Sequence, residues 1–253
     1  MTEKLTTSNP QIFYAVPLRD AVIFPQMNTT ILVGRSQSIK SIQSAKEAKM
    51  PIFIITQVKP DAEEFLSKNV YDVGTLCNVV ETIKTIDGTL KVVIRALTRG
   101  RLIKVIPSED FFACEVKLLA RNQSSLNKME IASLTKSCLE GFSKFAEYNK
   151  RITPQILEQI TKISSISEVV YTIVSFLNSS LEVKQEILEE DDVGKNLCKV
   201  YELLQLELSI LQTEEKINKQ IQEKISKSQK ELYLNEQLKY IKKELGHEED
   251  GGL

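Results

Sequence analysis

Catalysis by a nucleophile or by acid–base groups would need a histidine, or a pair of carboxylates, beside a reactive side chain. The only histidine of the chain, His247, lies in an acidic tail with no second candidate ligand near it. This excludes an H-E-x-x-H metal site and argues against Ser–His and Cys–His pairs. The carboxylates of the predicted helices alternate with lysines, as they do on solvated helix faces. We therefore expect no catalytic residue and no metal site in this chain.

Cysteines could form disulfides or bind zinc if the fold brought them together. They are far apart in the sequence, form no C-x-x-C pattern and lie in apolar runs: Cys77, Cys114, Cys138 and Cys198. Such cysteines behave as small core residues, and their spacing indicates buried, reduced thiols in a cytosolic protein.

Phosphate binding would need a glycine-rich loop. The pair Gly194–Lys195 lacks both the preceding glycine and the following Ser or Thr of a Walker A loop, and no G-x-S-x-G elbow occurs. We expect no cofactor in this chain.

Two groups of basic residues could contact nucleic acid. Around one strand turn they are Arg95, Arg99 and Arg101, and on a later helix they are Lys216, Lys219, Lys224, Lys227 and Lys230. Glutamates interleave with the lysines, no aromatic row accompanies either group, and the net charge is −1. Nucleic-acid binding is therefore not expected.

The sequence shows neither a candidate transmembrane segment nor a targeting signal. No run of about 18 apolar residues occurs. Residues 1–10 are polar and lack the apolar centre of a signal peptide. We expect this N-terminus to be flexible, the protein to be cytoplasmic, and no membrane to be a partner.

Strand signals dominate residues 11–121 and predict a small, mostly antiparallel β-rich domain. The predicted strands are 13–18, 29–33, 51–56, 73–86, 89–97, 101–106 and 111–119. One helix is expected to begin at a capping Ser36 or Ser38. Asp87 and Gly88 favour a two-residue type I′ hairpin.

Helical spacing takes over at 122–192 and predicts a bundle, so the fold class is α+β. Thr153 precedes a proline at the first helical position. Ser165 and Glu168 have the spacing of a capping box.

A single helix of roughly 50 residues, about 75 Å long, is predicted at 193–246. Asp191 and Asp192 favour its N-terminus through capping and the helix dipole. Its first turns carry an apolar stripe that should pack on the bundle, and the rest is expected to extend beyond it as a coiled-coil-like helix. Residues 247–253 have the composition of a linker.

Three groups of residues, in this order, carry a family resemblance. The first group is Pro17, Leu18, Arg19, Asp20, Val22, Phe24 and Pro25, followed by Val33, Gly34 and Arg35. The second is Val73, Gly74 and Thr75, then Asp87, Gly88, Thr89, Lys91 and Val92, then Leu97, Arg99 and Arg101. The third is Lys227, Ser228, Gln229, Lys230, Glu231, Tyr233, Leu234, Glu236, Gln237 and Leu238, then Lys243, Glu244, Leu245 and Gly246. Together they resemble the amino-terminal region of Lon, the ATP-dependent protease. Leu232 and Asn235 depart from the family pattern.

The resemblance implies a PUA-like β-rich domain, a helical bundle and a long helix that precede an AAA+ ATPase and a serine–lysine protease. It implies that this region recognises unfolded or degron-bearing substrates and passes them to those modules, where ATP and Mg act. It also implies that the region supports a hexamer in the parent endopeptidase. The isolated fragment is expected to be a monomer or dimer.

Recognition of unfolded protein requires accessible apolar surface. The candidate patch is Phe24, Pro25 and Met27, since an apolar loop between two strands has little reason to be apolar if it only turns the chain. The alternative is that Phe24 and Met27 fold back into the core.

Later in the long helix, five residues are candidates for contacts between protomers or with the ATPase: Tyr233, Leu234, Gln237, Leu238 and Ile241. The alternative there is a helix seam within one chain. The alternative for the whole protein is a stand-alone adaptor or scaffold that binds a peptide, a small ligand or RNA.

Overall fold

The computed structural model describes residues 9–59, 61, 64–120 and 124–244. The predicted linker at 247–253, His247 and most of the predicted N-terminal segment lie outside these residues. The chain divides into two compact units, Met1–Gln205 and Leu206–Leu253. The β-rich and helical parts that the sequence separates at residue 121 thus belong to one unit.

Six strands and six α-helices are formed by the described residues. The strands are β1 Gln11–Leu18, β2 Asn28–Val33, β3 Ile52–Thr56, β4 Val73–Lys84, β5 Leu90–Ile106 and β6 Ala113–Leu118. The helices are α1 Ser36–Glu47, α2 Lys128–Ala146, α3 Pro154–Thr161, α4 Ile166–Phe176, α5 Leu181–Glu189 and α6 Val193–Glu244. The predicted α+β class is confirmed.

The strands form one mixed sheet in the order β2-β5-β4-β3-β1-β6. β5 also pairs with β6, so the sheet closes on itself and leaves β2 outside the closed part. Only the β1–β3 pair is parallel among the described strands; the other pairs are antiparallel.

Two apolar clusters lie on opposite faces of the sheet. One contains Val16 and Val92 together with Ile42 of α1. The other contains Phe13 and Phe53 and fills the closed part of the sheet. All five residues of β3 are buried, as its unbroken apolar run predicts.

β5 is a single strand of 17 residues, whereas the sequence predicts two strands with a break after Leu97. The strand passes Gly100, where a Cβ atom would lie only 2.4 Å from Val116 Cγ1. Glycine therefore allows the close approach of β5 to β6 rather than ending the strand.

The β4–β5 hairpin exists, but its predicted type I′ turn is wrong. Residues 85–89 connect the strands, and Gly88 has a φ of 83° while Asp87 does not have a positive φ. A type I′ turn needs positive φ at both central residues. The loop is closed instead by Gly88 N donating to Thr85 O at 3.2 Å, and by the Asp87 carboxylate accepting from Thr89 N at 3.2 Å.

Helix starts agree with the sequence in part. Thr153 is the N-cap of α3, with proline in its first turn as predicted. Ser165 is the N-cap of α4 but makes no side-chain cap bond, so the predicted capping box is wrong. A capping box occurs instead at Asn127 and Glu130 of α2. The predicted serine cap of α1 is also wrong, because its N-cap is Arg35.

Helix α6 is 52 residues long, in agreement with the predicted single helix. Its first turns belong to the first unit, where Leu197, Val200 and Leu204 are fully buried. In the described part of the second unit, 206–244, most side chains are exposed.

Candidate functional site

The loop between β1 and β2, residues 19–27, is tied to the sheet through its backbone. The Thr56 hydroxyl donates to Ala21 O at 2.9 Å. The buried Thr75 hydroxyl donates to Ile23 O at 2.5 Å. Both bonds hold the loop in one conformation on top of β3 and β4.

A tight turn ends this loop. Gln26 N donates to Ala96 O at 3.0 Å, and Ala96 N donates to Met27 O at 2.8 Å. Gln26 has a φ of 65°, in the left-handed region that few residues other than glycine adopt. Met27 is thereby placed at the entry to β2.

Phe24 and Pro25 are buried, although the sequence places them in an accessible patch. Phe24 is 2% exposed, and its ring stacks on Tyr171 of α4 with 5.1 Å between centroids and 20° between planes. The core alternative therefore describes Phe24. Met27 is half-buried and keeps accessible surface.

A cleft of about 760 Å³ opens between this loop and the helical part of the first unit. Its walls come from the β1–β2 loop, the start of β2, the segment after α2, and the region from the end of α4 to α5. Its lining residues are Arg19, Asp20, Ala21, Val22, Ile23, Phe24, Met27, Thr29, Arg151, Ser175, Ser179, Leu181, Glu182 and Lys184. A cleft of this size can hold several side chains of an extended peptide.

Charges of both signs surround the apolar floor of the cleft. Arg19, Arg151 and Lys184 are basic, and Asp20 and Glu182 are acidic. A hydrogen bond from its own backbone amide, and a second from a nearby serine hydroxyl, lower the pKa of Glu182, so this carboxylate stays ionised at neutral pH. The cleft can therefore pair with either charge on a bound segment.

Arg99 joins β5 to the connection between α5 and α6. Its side chain is 8% exposed. Its guanidinium donates to Leu188 O at 2.8 Å, to Glu190 O at 2.9 Å and to the Asp191 carboxylate at 2.9 Å. One buried cation thus satisfies two backbone carbonyls and fixes the helical part of the first unit to the sheet.

Asp192 caps α6, as the sequence predicts. Its Oδ1 accepts from Gly194 N at 2.7 Å and from Lys195 N at 3.2 Å, and its Oδ2 accepts from Ser125 N at 3.0 Å. Hydrogen bonds, first from Ser125 and then from the α6 amides, lower the pKa of Asp192.

We expect Asp192→Ala to reduce the free energy of unfolding by about 1 kcal/mol at pH 7, because the helix cap is lost. The lowered pKa makes this contribution complete above the unfolded-state pKa of about 3.9, and it is lost as the pH falls through the folded-state pKa. Urea unfolding of both proteins between pH 7 and pH 3 should therefore show the difference shrinking in acid. Asp192→Asn is the control, since asparagine caps without titrating. A difference between wild type and Asp192→Ala that is independent of pH would contradict this account.

The cysteines are free thiols, and Cys77, Cys114 and Cys138 are buried. Burial raises the pKa of Cys114 and Cys138 to about 12 and raises that of Cys77 further. Neutral thiols of this kind are poor nucleophiles.

The five candidate residues of the long helix are exposed: Tyr233, Leu234, Gln237, Leu238 and Ile241. Gln237 Nε2 donates to the Tyr233 hydroxyl at 2.7 Å, so this pair is joined along one helix face. Their role between protomers or against an ATPase stays a prediction.

Within the residues that the structure describes, no group of histidine, cysteine and acidic side chains could hold a metal ion. In that same part of the chain, no helix is both long enough and apolar enough to cross a bilayer.

The sequence alone indicates the loop side of the cleft but not the side formed by the helical part. Arg19 and Asp20 belong to a recognisable motif, whereas Arg151, Leu181 and Lys184 carry no local signal. The latter three reach the cleft through the packing of the bundle on the sheet. Arg99 stands out in the sequence only as one of several basic residues.

Residues 14–206 match the family described as the ATP-dependent protease La (LON) substrate-binding domain. The chain belongs to this Lon family. The Lon protease of Rhizobium meliloti (strain 1021) is 33% identical over 252 residues, which are 99% of this chain and 31% of that protein. Lon protease 1 of Syntrophobacter fumaroxidans is 34% identical over 235 residues, 93% of this chain and 29% of that protein. The chain thus spans about a third of the length of these Lon relatives.

Two solved structures share the fold. The N-terminal domain of the Mycobacterium avium complex Lon protease covers 77% of this chain and 98% of its own, with a TM-score of 0.60 at 14% identity. The Lon N-terminal domain protein from Xanthomonas campestris covers 75% of this chain and 96% of its own, with a TM-score of 0.54 at 15% identity. The resemblance to the Lon amino-terminal region is confirmed.

Proposed function

We propose that the first unit binds unfolded or degron-bearing segments of protein substrates in the cleft beside the β1–β2 loop. The observation that carries this is the cleft of about 760 Å³ itself, which lies within the stretch that matches the Lon substrate-binding domain. The loop wall of the cleft is fixed by the hydrogen bonds from Thr56 and Thr75, so this loop needs little ordering when a segment binds.

The cleft chemistry suits unfolded protein rather than one small ligand. Unfolded segments expose apolar side chains that folded proteins bury. Met27 and Leu181 offer apolar contact, and a flexible methionine adapts to different side chains. Basic and acidic groups at the rim can pair with the charges that flank apolar residues in most sequences.

The parent protein's activity belongs to the same proposal. We propose that bound substrates pass to an AAA+ ring, which uses ATP and Mg, and to a serine–lysine protease, neither of which is recognised in the patterns of this chain. A hexameric parent would present six copies of the cleft. Weak binding by each copy would then suffice, because linked sites act together.

We expect this chain to bind fluorescein-labelled, reduced and carboxymethylated α-lactalbumin, which is permanently unfolded, with a dissociation constant in the micromolar range. Met27→Ser should weaken that binding several-fold, because it removes apolar contact from the cleft. Fluorescence anisotropy measures the affinity, and urea unfolding checks that the variant is folded.

Met129→Ser is the matched control, because Met129 is 84% exposed on α2 and lies outside the cleft lining. It should leave binding unchanged. Equal losses in both methionine variants, or no binding of the unfolded protein by the folded wild type, would refute the proposal.

A further inference from the structure

β2 is an open edge of the sheet. Within the described part of the chain, Asn28–Val33 pairs with β5 alone, and no other segment forms a backbone hydrogen bond with it. In an edge strand the N–H and C=O groups of alternate residues point away from the single partner. β2 therefore presents a row of backbone donors and acceptors to the outside.

Edge strands are normally blunted by charges, prolines or bulges. β2 has the sequence Asn-Thr-Thr-Ile-Leu-Val, which contains neither a charge nor a proline. Its pairing with β5 runs from Asn28 to Val33 without a register shift. Leu32 is 70% exposed beside this edge. An edge without such protection is suited to accept another strand.

The outer face of the sheet next to this edge also carries exposed apolar side chains. Leu32 pairs with Lys91 of β5, and Lys91 pairs with Ile83 of β4, so the three side chains form a row across the strands. Leu32 and Ile83 are both exposed apolar residues. Arg95 lies opposite Asn28 at the other end of the strand. An added strand would lie directly beside Leu32, whereas Lys91 and Arg95 of β5 would be one strand farther away.

The edge continues into the cleft. Met27 and Thr29 line the cleft, and Thr29 is the second residue of β2. A segment paired along β2 would therefore extend directly into the space beside the β1–β2 loop.

We propose that an extended segment of an unfolded polypeptide adds to β2 as a further antiparallel strand, with its apolar side chains on the same face of the sheet as the exposed Leu32. This inference rests on the proposed function and specifies how the substrate is held. Backbone pairing accepts almost any sequence without proline, which suits a binder of many unfolded proteins. Six residues of β2 can pair with a segment about 20 Å long, and the cleft then takes the side chains that follow.

A pair of methylated peptides tests this pairing. The probe is a labelled peptide of alternating threonine and valine with a glutamate at each end. One version carries N-methyl groups on all threonines and the other on all valines. Each version loses the amide donors of one strand edge only, because successive N–H groups point to opposite edges. Strand addition predicts that one version loses at least about tenfold in affinity while the other stays within about twofold of the unmethylated peptide.

Equal effects of the two methylation patterns, whether large or absent, would overturn strand addition. If carboxymethylated lactalbumin still binds in a way that depends on Met27, the proposed function stands and only the strand is wrong. If neither lactalbumin nor the unmethylated peptide binds, the proposed function itself fails.

Hydrogen exchange gives an independent reading. Alternate amides of Asn28–Val33 should exchange fast in the free chain and slowly when carboxymethylated lactalbumin saturates it. Slow exchange of these amides already in the free chain would overturn the inference. Slow exchange that increases with the concentration of the chain would also overturn it, because a second copy of the chain would then pair with β2.

Discussion

Replacing Phe24 by alanine should lower the free energy of unfolding by about 3 to 5 kcal/mol, the usual cost of removing a buried phenylalanine ring. Phe24 is 2% exposed and stacks on Tyr171, so its removal leaves a cavity between the β1–β2 loop and α4. The loop is held by hydrogen bonds to Thr56 and Thr75 and cannot collapse into that space. Urea unfolding followed by circular dichroism measures the loss.

Met27→Ala is the control for this variant, because Met27 lies in the same loop and is only half-buried. Its loss should be below about 1.5 kcal/mol. A loss of less than about 1 kcal/mol for Phe24→Ala would mean that the ring is accessible. Phe24 would then return as a candidate for direct contact with substrates.

Arg99→Ala should cost about 3 kcal/mol, because it removes a buried cation that donates hydrogen bonds to two backbone carbonyls. The carbonyls of Leu188 and Glu190 lie 2.8 and 2.9 Å from the guanidinium. Losing both bonds loosens the connection that leads from α5 into α6. We expect the same variant to speed hydrogen exchange at the start of α6.

The variant Asp191→Asn tests the ion pair of Arg99 separately from the hydrogen bonds that Arg99 donates to the two carbonyls. Asp191 is 47% exposed, so its ion pair with Arg99 is screened by water. The asparagine variant should lose less than about 1 kcal/mol. If it lost as much as Arg99→Ala in urea unfolding, the ion pair rather than the carbonyl bonds would hold the connection.

Local patterns predicted most of the secondary structure. The unbroken apolar run of β3, the proline after Thr153 and the length of α6 each follow from neighbouring residues. The predictions that failed depend on distant contacts. β5 continues through Gly100 because Val116 of β6 lies against that glycine, and no residue near position 100 signals it.

The candidate site shows the same limit. The loop at 19–27 could be singled out from its composition, but whether Phe24 points outward depends on Tyr171, which follows nearly 150 residues later in the chain. From the sequence alone, a phenylalanine that packs against another ring of its own chain cannot be distinguished from one that is exposed for substrate binding. Met27 differs only because the turn at Gln26 directs the chain into β2.

The exposed apolar residues of the second unit make a competing site for substrates. Leu232, Leu234, Leu238 and Ile241 are each about half exposed or more. They would bind unfolded protein if exposure of apolar side chains were sufficient. Because we assign substrate binding to the first unit, the two surfaces must be separated by experiment.

Photo-crosslinking separates them most directly. Carboxymethylated lactalbumin carrying benzophenone groups is bound to the full chain, irradiated and digested, and the attachment points are found by mass spectrometry. We predict that the crosslinks concentrate in residues 19–33 and 175–184. We also predict that Met27→Ser reduces their number and that Met129→Ser does not. Crosslinks confined to 206–244, unaffected by either variant, would contradict the central claim.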